Sequence, residues 1–165
     1  RAAGPCFDNT NRYVDCGNGT VTDTVTGLIW TKDATCFGVI SLPLLMKWAD
    51  ANNAAAGLKD GDCGLADGSS PGDWRLPTQD EWSATIARAV ALGCDPSLTD
   101  DAGTACYGRG STSSFVFGVA NFFWSSTAYE ADPADGVSAS LHHGSLFSGS
   151  KGSILEVWPV RGGPR

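Results

Sequence analysis

The spacing of apolar positions changes along the chain, and each change marks an element. Residues 12–33, RYVDCGNGTVTDTVTGLIWTKD, hold short β-type runs at Tyr13-Val14, over the Thr/Val alternation of 20–25, and at Leu28-Ile29-Trp30. Asn18-Gly19 and Thr26-Gly27 interrupt them with residue pairs suited to tight turns, so the segment predicts a meander of short strands. Asn18-Gly19-Thr20 also matches a glycosylation sequon, but a turn accounts for the pair without sugar.

The pattern then becomes helical. Over about 42 to 56, Leu45, Trp48, Ala49, Asn52 and Ala56 fall on one face, with Ser41 placed to cap the start, Pro43 tolerated in the first turn and Gly57 as a stop. Residues 59–73, KDGDCGLADGSSPGD, read as loop. The next stretch, DWRLPTQDEW at 73–82, concentrates aromatics and charge. Thr78 with Glu81 three residues later forms a capping box, and Asp80 faces the positive end of the helix dipole. Trp82, Ile86, Ala89 and Val90 continue an apolar stripe to Gly93, predicting a second helix over 79–92. After a polar loop at 94–114 come three strand-like runs, FVFGVANFFWSS (115–126), GVSASLHH (136–143) and SILEVWPVR (153–161). Pro159 marks the last as an edge strand or a bulge.

Composition narrows the class. A chain of 165 residues is expected to form one domain over 1–165, and 42% apolar residues with 10% aromatics exclude disorder, while 21 glycines and 8 prolines favour loops over helix. The longest apolar stretches, such as VISLPLLM at 39–46, are far shorter than the roughly 20 residues of a spanning helix, so no membrane insertion is expected. The opening RAAGPC has no apolar h-region, so a signal peptide is expected to have been removed or to lie upstream.

Six cysteines, Cys6, Cys16, Cys36, Cys63, Cys94 and Cys106, include no CxxC pair, and the only histidines stand at 142 and 143, which argues against zinc. An even count predicts three disulfides and an oxidising compartment. About fifteen connectivities are open, and the sequential set is favoured because each bond would close a loop or flank an element. The net charge of −7 comes from fifteen aspartates and three glutamates against four lysines and seven arginines that are scattered along the chain. Without clustered basic residues, nucleic acid and heparin are poor partners.

Several of these pieces occur together in one family. NGTVTDTVTGLIWTKD at 18–33, the Trp48-Ala49 helix, DWRLPTQDE at 73–81, FWSST at 123–127 and VWPVRGG at 157–163 resemble the C-terminal domain of the Legionella collagen-like adhesin Lcl over about residues 12–163. WRLPT followed by a glutamate-bearing helix start is also similar to a segment of formylglycine-generating enzymes. The resemblance implies an α+β, C-type lectin-like fold, with two helices, a small twisted antiparallel sheet, neighbouring termini and long disulfide-pinned loops.

Catalysis is not expected. Formylglycine-generating enzymes use a reactive cysteine pair late in the chain, and no cysteine follows Cys106. His142 and His143 are expected on a strand or turn with their side chains on opposite faces, so that one at most joins a given site. A Ser-His-Asp set can be assembled on paper from any serine- and aspartate-rich chain. No cofactor is expected, although calcium has candidate ligands in Asp60, Asp62, Asp132 and Asp135. Solvated turn aspartates are the favoured reading of those four, since the stretch at Trp124-Ser125-Ser126 lacks the signature of calcium-dependent sugar binders. Arg75 and Arg161 are expected to tie loops to the sheet by charge-assisted hydrogen bonds.

Adaptable polar and aromatic residues gather late in the chain. Tyr129, Glu130, Asp132, Asp135, His142, His143, Ser145, Phe147 and Lys151 are the candidate ligand contacts, expected on loops within 129–151. The function expected is therefore a non-catalytic extracellular recognition or adhesion domain of a bacterial surface or filament protein, contacting glycan or cell-surface protein. The alternative is a structural subunit or cap of an extracellular assembly, acting through self-association of exposed aromatic strands such as FVFGVANFFW.

Overall fold

Gly19 and Gly27 take positive φ angles of 84° and 78° in the computed structural model, which describes residues 1–37, 44–108, 112–117 and 122–163. These turns fold β1 (Tyr13–Asp15), β2 (Thr20–Asp23) and β3 (Leu28–Thr31) into an antiparallel meander. The short strand β7 (Val160–Gly162) adds to the far side of β3, pairing Arg161 with Ile29, and completes the order β1-β2-β3-β7. Pro159, which lacks a donor, stands just before this edge strand, as its chemistry requires. Most of the 153–161 run expected as strand makes only single bridges, at Leu155 to Met46 and Glu156 to Phe123.

The first helix, α1 (Trp48–Gly57), begins about two turns later than its apolar spacing suggests. Met46 and Leu155 exchange backbone hydrogen bonds of 2.8 and 2.9 Å, which hold the chain extended up to the helix start. The buried face follows Trp48 and carries Ala51 and Ala55, while Ala49 and Ala56 are exposed. A run of small residues carries too little amphipathic contrast to set that phase. Ser41 and Pro43 lie outside the described residues.

The second helix, α2 (Gln79–Leu92), has the expected ends. Thr78 Oγ1 accepts from Glu81 N–H at 3.1 Å, Thr78 N–H donates to Glu81 Oε1 at 2.9 Å, and Gly93 closes the helix in the left-handed region. Trp82, Ile86 and Ala89 are buried, but Val90 is exposed and leaves the stripe one residue short.

Two sheets stand where one was expected. β4 (Phe122–Ala128), β5 (Asp135–Ser140) and β6 (Ser145–Ser150) form a separate antiparallel sheet in that order. Much of the 129–151 segment expected as loop is therefore a hairpin, with six consecutive pairs from Asp135–Ser150 to Ser140–Ser145. The run GVSASLHH already predicts β5, but the Ser/Gly-rich composition of β6 hides the second strand, because packing against neighbours stabilises it more than intrinsic β-preference does.

Tryptophans join the layers. The rings of Trp30 on β3 and Trp158 lie 4.8 Å apart, Trp82 on α2 lies 5.2 Å from Trp30, and Phe123 on β4 lies 5.6 Å from Trp82. Truncating one such ring to alanine would cost about 3–5 kcal/mol. Phe115, Phe123 and Trp124 from the aromatic run belong to this core and are not exposed; residues 118–121 of that run lie outside the described set. The bonds Cys6–Cys16, Cys36–Cys63 and Cys94–Cys106 form the sequential set.

Candidate functional site

The turn between β5 and β6 is pressed against the end of α2. Gly144 has φ 67°, and a Cβ there would lie 2.9 Å from Ser97 Oγ and 3.0 Å from Val90 Cγ2, so both backbone shape and space select glycine. Ser97 N–H donates to Leu141 O at 2.7 Å, and the segment holding Ser97 is anchored by the Cys94–Cys106 bond.

This packing gathers aromatic and imidazole rings on the surface. Phe122 lies 5.5 Å from Phe147 and 6.1 Å from His143 between ring centroids, and His143 lies 5.6 Å from Phe147 and 4.9 Å from His142. The expectation that the histidines diverge fails, because they stand in a turn, where successive side chains do not alternate as they do on a pleated strand. His142 Nδ1 meets Asp95 Oδ1 at 3.1 Å, with the two side chains 58% and 57% exposed. His143 Nδ1 meets Ser140 Oγ at 2.9 Å, and the same hydroxyl accepts from His143 N–H at 3.0 Å. Phe147 is 41% exposed. The patch thus offers ring surface beside a carboxylate and imidazole nitrogens, a combination able to contact apolar and hydroxylated parts of one ligand.

The hairpin separates the nine candidate ligand residues into two groups. His142, His143, Ser145 and Phe147 belong to the β5–β6 end. Tyr129, Glu130, Asp132, Asp135 and Lys151 belong to the opposite end, about 20 Å away along six strand residues. There Lys151 Nζ lies 4.2 Å over the Trp48 ring, Tyr129 is 38% exposed, and Asp132 Oδ1 accepts from Ala134 N–H at 3.1 Å. Sequence spacing could not reveal Phe122, Asp95 or Trp48 as members of either end, because each arrives from a distant part of the chain.

Other charged residues have structural employment. Asp60 accepts from Gly68 N–H at 3.0 Å and Asp62 pairs with Lys59 at 3.4 Å. Among the described residues, no three of His, Cys, Asp and Glu converge as metal ligands. Arg75 grips Glu81 with both terminal nitrogens at 2.6 and 2.8 Å and donates to Gly162 O at 3.0 Å. Burial pushes the Glu81 carboxyl up, but hydrogen bonds from Arg75 and from Thr78 N–H hold it below its ordinary value on balance. This pair borders a cavity of about 580 Å³ that also touches Val25, Leu28 and Ala84. Arg161 donates from Nε and Nη2 to Asp67 Oδ2 at 3.2 and 3.0 Å; burial pushes the Asp67 carboxyl up, but hydrogen bonds from Ser69 and Arg161 hold it below its ordinary value on balance. Both arginines are scaffold.

No curated protein shows significant similarity to the chain. The family comparison is decisive, since a single model extends from the first meander to the final strand: residues 19–161 match the Lcl C-terminal domain, and the chain belongs to that family.

Proposed function

We propose that this chain is a non-catalytic recognition domain, displayed outside a bacterial cell on a surface or filament protein, that binds glycan or surface protein through the β5–β6 end of its second sheet. The observation that carries this reading is the patch of exposed His142, His143 and Phe147 rings, backed by half-buried Phe122, beside Asp95. Family membership supports an adhesive role. Three disulfides, and the lack of any helix among the described residues long and apolar enough to cross a membrane, fit an extracellular location. Two helices, and termini that meet at Asp67 through Ala3 N–H and Arg161, support a single C-type lectin-like domain over 1–165.

The Ser–His contact in this patch does not have the geometry of a nucleophile and its base. Ser140 and His143 form a Ser–His contact, but Ser140 is fully buried, and the nearby carboxylate of Asp95 holds His142 instead of His143. A nucleophile needs an accessible oxygen and a base oriented by a third group.

A glycan array together with binding to cell-surface proteins tests the reading, with the native disulfides intact. Binding that drops at least about tenfold in His143→Ala and Phe147→Ala supports it, an effect of roughly 1.4 kcal/mol. Blank results on both panels, or binding indifferent to these substitutions, would sink it.

A further inference from the structure

Among the described residues the outer edge of β6 has no partner strand, and the strand itself carries no charge, proline or bulge to protect that edge. β6 is the last strand in the order β4-β5-β6, its six pairs with β5 run without a bulge, and Gly144 to Ser150 contain no charge and no proline. Natural edges are blunted by charge, proline, bulges or a covering element, because their free N–H and C=O groups otherwise recruit another strand.

We propose that β6 pairs with β6 of a second copy of this chain, joining two three-stranded sheets into one six-stranded antiparallel sheet across a two-fold axis at Ser148. The backbone constrains where that axis can fall. Outward-pointing N–H and C=O groups come from alternate residues of β6, so an antiparallel seam must match outward residues with outward residues. The two-fold axis therefore passes through a residue, not between two. With the axis at Ser148, Phe147 stands opposite Gly149 of the other copy, and Leu146 stands opposite Ser150.

Shape and charge favour this register. A Cβ built on Gly149 would meet nothing within 4 Å, so the space above it is open. Phe147, on the same face of the strand and 41% exposed, fills that space in the other copy, an aromatic ring covering a glycine. Two chains of net charge −7 repel each other in general, but this seam opposes no like charges, and Lys151 at its end faces Ser145. Isologous pairing also suits a homodimer, since one self-complementary strand supplies both sides. The seam is short and belongs among small interfaces, so the dimer forms reversibly with concentration, and higher salt tightens it by screening the repulsion.

Sedimentation velocity on the intact disulfide-bonded chain over a wide concentration range tests this. The expected result is a monomer–dimer equilibrium, with Ser148→Lys, which sets two cations face to face on the axis, weakening the dimer at least about tenfold. An unchanged near-ultraviolet circular dichroism spectrum shows that this variant has folded. Independently, Ser148→Cys is expected to cross-link two chains under mild oxidation, as residues directly opposite each other lie about 4.5–5.5 Å apart at Cα. A chain that stays monomeric at its highest soluble concentration overturns the proposal, and so does a dimer that neither responds to Ser148→Lys nor cross-links through Ser148→Cys. Phe147 belongs to both the seam and the ring patch, so ligand binding is measured on Ser148→Lys as well, which leaves Phe147, His142 and His143 in place: binding retained by a monomeric Ser148→Lys separates loss of the dimer from loss of ligand binding.

Discussion

Arg161 and Asp67 form an ion pair of 3.0 Å with both side chains almost wholly shielded from water, and Asp67 O also accepts from Ala3 N–H at 2.8 Å. One aspartate thus ties the last strand, a central loop and the N-terminal segment together. The Arg161 guanidinium further stacks 5.2 Å over the Trp74 ring, which links the pair to the WRLPT stretch.

Removing one partner should be more damaging than removing both. Asp67→Ala is expected to cost about 3–5 kcal/mol, because it leaves a guanidinium buried without a counter-charge. Adding Arg161→Met to that variant should recover part of the loss. Urea unfolding of the two variants measures the difference, and equal stability of the single and double mutants would refute the assignment.

Stability should fall in acid. The folded-state values of Glu81 and Asp67 are lowered from ordinary values of 4.5 and 3.8. A group depressed in the folded state contributes stability above its unfolded value, and that stability is lost as pH falls through the folded one. The thermal midpoint should therefore hold steady above pH about 5 and drop progressively below it. Glu81→Gln and Asp67→Asn should each start lower and show a shallower acid decline, read by calorimetry across that window.

The cap of α2 should be separable from its ion pair. Thr78→Ala removes the oxygen that accepts from Glu81 N–H and should cost about 1 kcal/mol, whereas Thr78→Ser should be close to neutral. Chemical denaturation of both variants is the check.

Gly136 on β5 admits no side chain. A Cβ there would lie 2.8 Å from Trp48 Cδ1 and 3.0 Å from Trp124 Cζ3. Gly136→Ala should cost about 1–3 kcal/mol by overpacking. It should also shift tryptophan fluorescence, because Trp48 Nε1–H, which donates to Ser125 O at 2.9 Å, must move.

Loss of the Cys94–Cys106 bond should loosen the ring patch as well as the chain. Its sequence separation of 12 corresponds to about 3 kcal/mol of loop-closure stabilisation. Changing both cysteines to serine should lower the thermal midpoint and weaken ligand binding, since Asp95 follows the first cysteine directly. A variant with lower stability and full binding when folded would detach the patch from its anchor.

Local chemistry made parts of this protein legible in advance. Thr78 and Glu81 satisfy backbone donors within one turn, Gly93 and the Asn18-Gly19 pair meet conformational needs of one or two residues, and the sequential cysteine pairs each close a nearby loop. DWRLPTQDEW could be recognised as scaffold for the same reason, with Trp74 and Trp82 in the core and Arg75 bound to Glu81. Tertiary contacts decided the rest. The start of α1 was set by the bridge from Met46 to Leu155, and Ser/Gly-rich β6 became a strand because β5 and α2 pack beside it. The sequence could nominate candidate residues but not say which of them stand together. A regular hairpin sends Tyr129 and His143 to opposite ends, while His142 meets Asp95 from 47 residues away. Side-chain identity selects local turns and caps, but which distant groups meet depends on how whole elements bury their faces against one another.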